Sequence, residues 1–216
     1  MLVTLMTLFA CVEDVSKDKV EAKVEDVKPE AAAKAEQPEA AKAAVATPKG
    51  VAWAVDAETS TIKALGAKIT ATHPIDFPKF TGQVYVDEGA VSGVAFEVDM
   101  ASLVSDDDRL TGHLKNEDFF DVTKFPTSKF TSTTVKAGSD IDGMTHTIVG
   151  EFTIHGQTKK VTFPAKVAME DNKVSAETEF ALDRKDFGVV YPGRPDDLVQ
   201  DKVVLTVNLA AAKPEA

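Results

Sequence analysis

Cysteine is almost absent: Cys11 is the single thiol in 216 residues. No disulfide can form within the chain, so a hydrophobic core has to hold the fold. Positive charge is also in deficit. The chain has 24 Lys and Arg against 35 Asp and Glu, a formal net charge of −11. It lacks the basic footprint that neutralises phosphates, which excludes nucleic acid as a partner class. The same balance argues against broad adhesion to anionic lipid. No apolar run approaches the roughly 20 residues of a membrane-spanning helix. Catalytic and metal signatures are missing as well. The four histidines, His73, His113, His146 and His155, lie far apart, without the paired spacing of a zinc site. There is no GxSxG elbow. The run Asp106–Asp108 lacks the spaced ligands of a calcium loop and reads as a solvated helix start. These absences assign no catalytic residue, no metal and no enzyme activity.

What is present begins with the apolar stretch MLVTLMTLFAC. It is too short to cross a bilayer but long enough for the apolar part of a secretory signal. Leu8–Cys11 resembles a bacterial lipobox, in which the cysteine is lipidated. The competing reading is a buried N-terminal strand with an idle thiol. On the first reading, residues 1–11 are a lipoprotein-type signal and Cys11 anchors a periplasm-facing protein in the bacterial envelope. Val12 gives no retention signal of the Asp type, which favours the outer membrane.

Residues 12–49 are rich in Ala, Glu, Lys and Pro and contain no aromatic residue. Such a segment buries too little apolar area to offset its ordering entropy. It is expected to be a disordered tether with ends roughly 35 Å apart.

From residue 50 to 212 the pattern changes, leaving 213–216 as a tail. Val94, Phe96, Val98 and Met100 alternate with polar neighbours, as do Ile148, Gly150, Phe152 and Ile154. The same holds for Val161–Met169, Val174–Leu182 and Val203–Leu209. One dry and one wet face indicates antiparallel sheet. Turn signals at Asp87, His155 and Glu170 imply a meander of neighbouring strands. The expected fold is all-β, an extended antiparallel barrel of eight or nine strands. About eight strands enclose a space that side chains just fill, or that holds one small ligand. One helix is expected within Asp106–Phe120, short or in two pieces because Gly112 weakens it, and it interrupts the meander. Directly after it comes FFDVTKFPTSKF, Phe119–Phe130, with four of the twelve phenylalanines at irregular spacing.

Four stretches in order resemble the YceI-like family: THPIDFPKFTGQV from Thr72, GHLKNEDFFDVTKFPTSKFTS from Gly112, VGEFTIHGQTKKVTFPAKV from Val149 and DRKDFGVVYPGRPDDLVQDKVVLTVNLAA from Asp183. The resemblance implies a lipocalin-like barrel with an elongated apolar cavity for a long amphiphile, such as an isoprenoid, an isoprenoid quinone or a fatty acid or amide. It also implies secretion or lipid anchoring, and brings no general enzymatic activity.

On that basis the cavity is expected to be lined by Phe96, Val98, Leu114, Phe119, Phe120, Phe130, Phe152, Ile154, Phe163, Val167, Phe180 and Leu205. Arg109, His113 and Arg184 are candidates for a polar head group. Each has an alternative. The arginines could instead pair with Asp108, Asp183 or Asp186, and His113 could cap neighbouring backbone. The expected partner is a hydrophobic small molecule that the protein sequesters or carries. No cofactor is expected beyond a bound isoprenoid or acyl lipid, and a homodimer remains open. Two other readings stand beside this one: a filled barrel that docks a protein partner, and a lipid-modifying enzyme using His113 with Asp108.

Overall fold

A computed structural model describes residues 12–27 and 47–215. Cys11, the signal segment and residues 28–46 of the expected tether lie outside the described residues. In chain order the strands are β1 Lys23–Asp26, β2 Val51–Ala54, β3 Thr61–Ala67, β4 Thr72–Asp76, β5 Phe80–Asp87, β6 Ala90–Asp99 and β7 Val104–Ser105. After helix α1, Asp108–Lys115, come β8 Thr127–Ala137, β9 His146–Ile154, β10 Gln157–Glu170, β11 Lys173–Asp183, β12 Gly193–Arg194, β13 Asp197–Leu198 and β14 Lys202–Ala212. Among the described residues eight strands reach seven residues or more, in keeping with the expected count.

The main sheet runs β2-β5-β6-β8-β9-β10-β11-β14-β3-β4-β7 and is antiparallel along this path. It curls into a lipocalin-like barrel in which the chain just after β2 bridges β14 through Val55 and Ala211. The curl thereby covers the β2 edge, which a flat sheet of this size would expose. The tight turns follow from backbone chemistry. Glu88–Gly89 and His155–Gly156 have positive φ at both positions, as two-residue hairpins with right-handed strand twist require. Asp171–Asn172 makes the third two-residue connection.

The alternating faces point inward as the period-two pattern demands. Phe130, Phe180 and Phe187 are each at most 2 % exposed. Phenylalanine rings link the barrel's walls: Phe96 stacks on Phe130 at 5.4 Å, Phe130 leans on Phe163 at 5.4 Å, and Phe163 stacks on Phe180 at 4.4 Å. Phe152 meets Phe130 edge-on at 5.8 Å and Phe187 at 5.9 Å. Such pairs contribute roughly 0.5–1.5 kcal/mol each beyond area burial. Gly150 makes this ladder fit. A Cβ there would lie 2.5 Å from the Phe130 ring and 2.6 Å from the Thr131 carbonyl.

The helix is short, as expected, and covers Asp108–Lys115. Asp107 caps its start by accepting a hydrogen bond from the Leu110 amide. It ends at Lys115 because Asn116 is extended, and the chain then folds through turns, with the amides of Phe119 and Asp121 donating to the Asn116 carbonyl. One expectation is corrected here, that of the disordered tether. Residues 12–27 are ordered against the barrel and form β1, paired with β10. Ser16 is buried, and its hydroxyl and amide both donate to Asp14. Backbone pairing and ion pairs supply what the segment's small apolar area does not.

Candidate functional site

The barrel interior contains an apolar cavity of about 110 Å³. Ten of the twelve expected lining residues surround it: Phe96, Val98, Phe120, Phe130, Phe152, Ile154, Phe163, Val167, Phe180 and Leu205. For all of these but Phe120, which lies in the turn after α1, the place follows from strand parity, since β6, β8, β9, β10, β11 and β14 each turn alternate side chains inward. Phe187, Ile148 and Met100 also line it. The inward parity of β6 and β9 already marked Met100 and Ile148. Phe187 lies in a short 3₁₀ turn after β11, where alternation gives no signal. The polar residues at the wall are Ser128, Glu177, Thr178 and Arg184. Ser128 and Thr178 donate to the carbonyls of Thr153 and Pro164, so their hydroxyls do not demand a polar ligand.

A second pocket of about 520 Å³ adjoins the first. Arg184 and Val203 line both. This outer pocket lies between α1, β3, β4 and the loop from Tyr191 to Val199. Leu114 and Phe119, expected in the apolar cavity, line this pocket instead. They sit on α1 and the turn after it, outside the inward-facing strand positions. The three head-group candidates Arg109, His113 and Arg184 come together here, with Lys68, His73, Arg194, Asp107 and Asp197.

Their hydrogen bonding separates them. The Arg184 side chain is 6 % exposed. Its Nε donates to the Gln200 carbonyl at 2.9 Å, Nη1 to the Val189 carbonyl at 2.6 Å, and Nη2 to the Val199 carbonyl at 3.3 Å. Nη2 also reaches Asp201 at 3.4 Å. Burial pushes its pKa downward while Asp201 and Asp183 oppose the shift, and an arginine keeps its charge in a protein. Arg184 is therefore committed chiefly to holding the 189–200 loop. Its ion-pair partner is Asp201, where the sequence pointed to Asp108, Asp183 or Asp186.

His113 lies 3.0 Å from Asp118 through Nε2 and packs edge-on against Phe119 and Tyr191, both at 5.0 Å. The pairing of His113 with Asp108 required by the lipid-enzyme reading is replaced by Asp118. Arg109 is exposed at the pocket rim. His73 bonds Asp106 at 3.0 Å, and hydrogen bonds from His73 and Ser105 hold that carboxylate below its ordinary range. Lys68 pairs with Asp197 at 2.7 Å. The outer pocket is thus largely a network of internally matched charges, with Arg109 exposed beside it.

The phenylalanine-rich corner resolves into four separate placements. Phe119 packs under His113 and Tyr191, and Phe120 reaches the apolar cavity. Phe125 lies edge-on to His155 at 4.6 Å, where a Cβ on Gly156 would strike its ring at 2.4 Å. Phe130 enters β8 and sits at the centre of the aromatic ladder.

Comparison with known proteins agrees with this architecture. A family profile described as YceI-like domain matches residues 53–211. A UPF0312 protein of Pseudomonas putida is 34 % identical over 125 residues, covering 54 % of this chain and 64 % of that protein. A UPF0312 protein of Vibrio cholerae is 33 % identical over 127 residues, covering 54 % and 65 %. The match thus spans a little under two thirds of these relatives' length. Among solved structures, Burkholderia cenocepacia BcnA superposes with a TM-score of 0.66 at 24 % identity, covering 73 % of this chain and 99 % of that one. A polyisoprenoid binding domain from Saccharophagus degradans, implicated in plant cell wall breakdown, superposes at 0.61 with 12 % identity, covering 75 % and 98 %. At these identities the structures speak to the fold. With a family profile spanning most of the chain, a curled antiparallel barrel and an aromatic-lined interior, this protein belongs to the YceI-like family.

Proposed function

We propose that this protein binds the apolar tail of a long amphiphile, an isoprenoid, isoprenoid quinone or fatty acid or amide, and sequesters or carries it in the bacterial envelope. The observation that carries this reading is the aromatic and aliphatic cavity running the inside of the barrel, with its few polar groups already hydrogen-bonded or at its margin. Each buried methylene contributes roughly 0.8 kcal/mol. Affinity would therefore grow with tail length without directional contacts. The outer pocket, with Arg109 at its rim, is where a head group would rest. The polyisoprenoid binding domain of like fold supports the same ligand class. The mechanism is binding and release, as in a family of binding proteins. Lipidation at Cys11 would hold the domain at the outer membrane.

The cavity volume of about 110 Å³ falls below the roughly 300–1,000 Å³ of ordinary ligand sites. This favours the second reading, a filled barrel that docks a protein, unless the walls part when a ligand enters. One titration separates the two. The full chain is mixed with parinaric acid, a polyene fatty acid, and with retinol, an isoprenoid, and probe fluorescence is followed. Saturable uptake is expected. Ala176→Phe, which fills the cavity wall from β11, should abolish uptake at a stability cost of about 1–3 kcal/mol. Absence of uptake by the unaltered chain, or unchanged uptake by a folded Ala176→Phe, would favour the protein-docking barrel.

A further inference from the structure

The barrel wall is interrupted between β10 and β11. Their ladder begins at the hairpin and ends at Lys166–Glu177. Beyond it Pro164 brings no N–H to the ladder, and the Thr178 hydroxyl donates to the Pro164 carbonyl at 2.6 Å. From there the two strands part. β10 keeps its other partner, β9, and β11 keeps β14. The facing edges, Lys159–Thr162 and Ala181, would otherwise be open backbone.

The chain's own N-terminal segment fills this slot. Lys23–Asp26 pair antiparallel with Thr162–Lys159. Just before them, the Ala22 amide donates to the Ala181 carbonyl, and the Ala181 amide donates to the Val20 carbonyl, both at 2.8 Å. One strand thus bridges both edges. Ala22 and Val24 turn inward against the buried cluster that contains Val161, Phe163 and Phe180. The cavity wall reaches Ala176, Glu177 and Thr178, beside the point where the strands separate.

We propose that the β10–β11 seam is the side port through which a ligand tail enters the barrel, and that residues 20–26 are a removable strap closing it. This rests on the binding role proposed above. The attachment suits reversible release. Outward, the strap is tied by exposed ion pairs: Glu21 with Lys202, Glu25 with Lys160 and Asp26 with Lys159. Exposed pairs of this kind are individually weak and are screened by salt. Inward, the strap packs on that cluster through the Ala22 methyl and the Val24 isopropyl group. Its withdrawal leaves a gap one strand wide, which explains how a barrel with a cavity of about 110 Å³ can admit a longer chain.

A reversible lock tests this. Val24 and Val161 are paired across the strap, at the Cα spacing a disulfide accepts. A Cys11→Ser, Val24→Cys, Val161→Cys chain is compared with itself, oxidised and reduced, by stopped-flow uptake of parinaric acid. Oxidation should slow uptake by at least about tenfold, the low end of the range over which association rates vary within one system. Glu21→Lys, Glu25→Lys and Asp26→Lys together place lysines against lysines and should speed uptake. Adding Lys159→Glu, Lys160→Glu and Lys202→Glu should restore the original rate. Equal rates in the oxidised and reduced chains, with binding at equilibrium intact, would overturn the port and leave the binding role standing. No uptake in any form, locked or released, would overturn both.

Discussion

Replacing Phe130 by alanine is expected to cost about 3–5 kcal/mol of stability, the range for deleting a fully buried phenylalanine ring. For a domain of this size that corresponds to a fall in Tm of roughly 6–20 °C. Phe130 is 1 % exposed and touches three other rings, those of Phe96, Phe152 and Phe163. Its removal therefore breaks the aromatic ladder at its busiest point. It also leaves space that cannot collapse easily, because the Gly150 backbone across from it belongs to a strand hydrogen-bonded on both sides. The enlarged cavity should stay dry and accept a small apolar guest such as benzene. Benzene should then recover part of the lost Tm. A loss below about 1 kcal/mol would mean that the ladder is loosely packed, and benzene without effect would mean that the wall collapses.

The second large effect is expected at Arg184. Arg184→Met keeps much of the side chain's volume but leaves the carbonyls of Val189, Val199 and Gln200 without their donor. Each buried acceptor left unpaired costs roughly 1–3 kcal/mol. The expected total is about 3–5 kcal/mol, as for removing one partner from a buried charged network. Arg184→Lys should recover only part of it, because one ammonium cannot span carbonyls spread along 189–200. Hydrogen exchange should speed up over that loop ahead of the β-strands. A variant as stable as the parent, with unchanged exchange there, would show that the guanidinium does not hold the loop. Strong loss of probe affinity with the loop intact would instead return Arg184 to a head-group role.

Much of this was written in the chain. Alternation with period two assigns Phe96, Phe152, Phe163, Phe180 and Leu205 to inward faces, because a strand has only two faces. Arg184 continues the inward parity of Phe180 and Leu182, which put it at the cavity's end. Its partners were not legible, since they are backbone carbonyls of a loop brought close only by folding. Leu114 and Phe119 were misplaced because a helix and a turn carry no such parity. The strap lies within an Ala- and Lys-rich segment that reads as a tether, yet it carries a signal. Val20, Ala22 and Val24 alternate with Glu21, Lys23 and Glu25, the pattern of a half-buried strand. Pro164 inside a long strand was the matching sign that β10 has a vacant edge. What alternation could not decide is whether the interior is merely packed or holds a guest, because both need the same apolar face.

The corner Phe119–Phe130 shows how an irregular sequence serves a regular barrel. No single surface gathers its rings. The chain leaves α1, wedges Phe119 under the helix, sends Phe120 into the cavity, rests Phe125 against the His155 turn and enters β8 with Phe130. Proline and aspartate between them allow each ring a different direction.

The most direct measurement is native mass spectrometry of the full chain purified from bacterial envelopes without delipidating detergent, followed by organic extraction. Adduct masses near one-to-one stoichiometry, yielding an isoprenoid or acyl compound on extraction, are the expected result. An empty chain at its bare polypeptide mass, or with the anchor's mass alone, and an extract without such a compound would contradict the account.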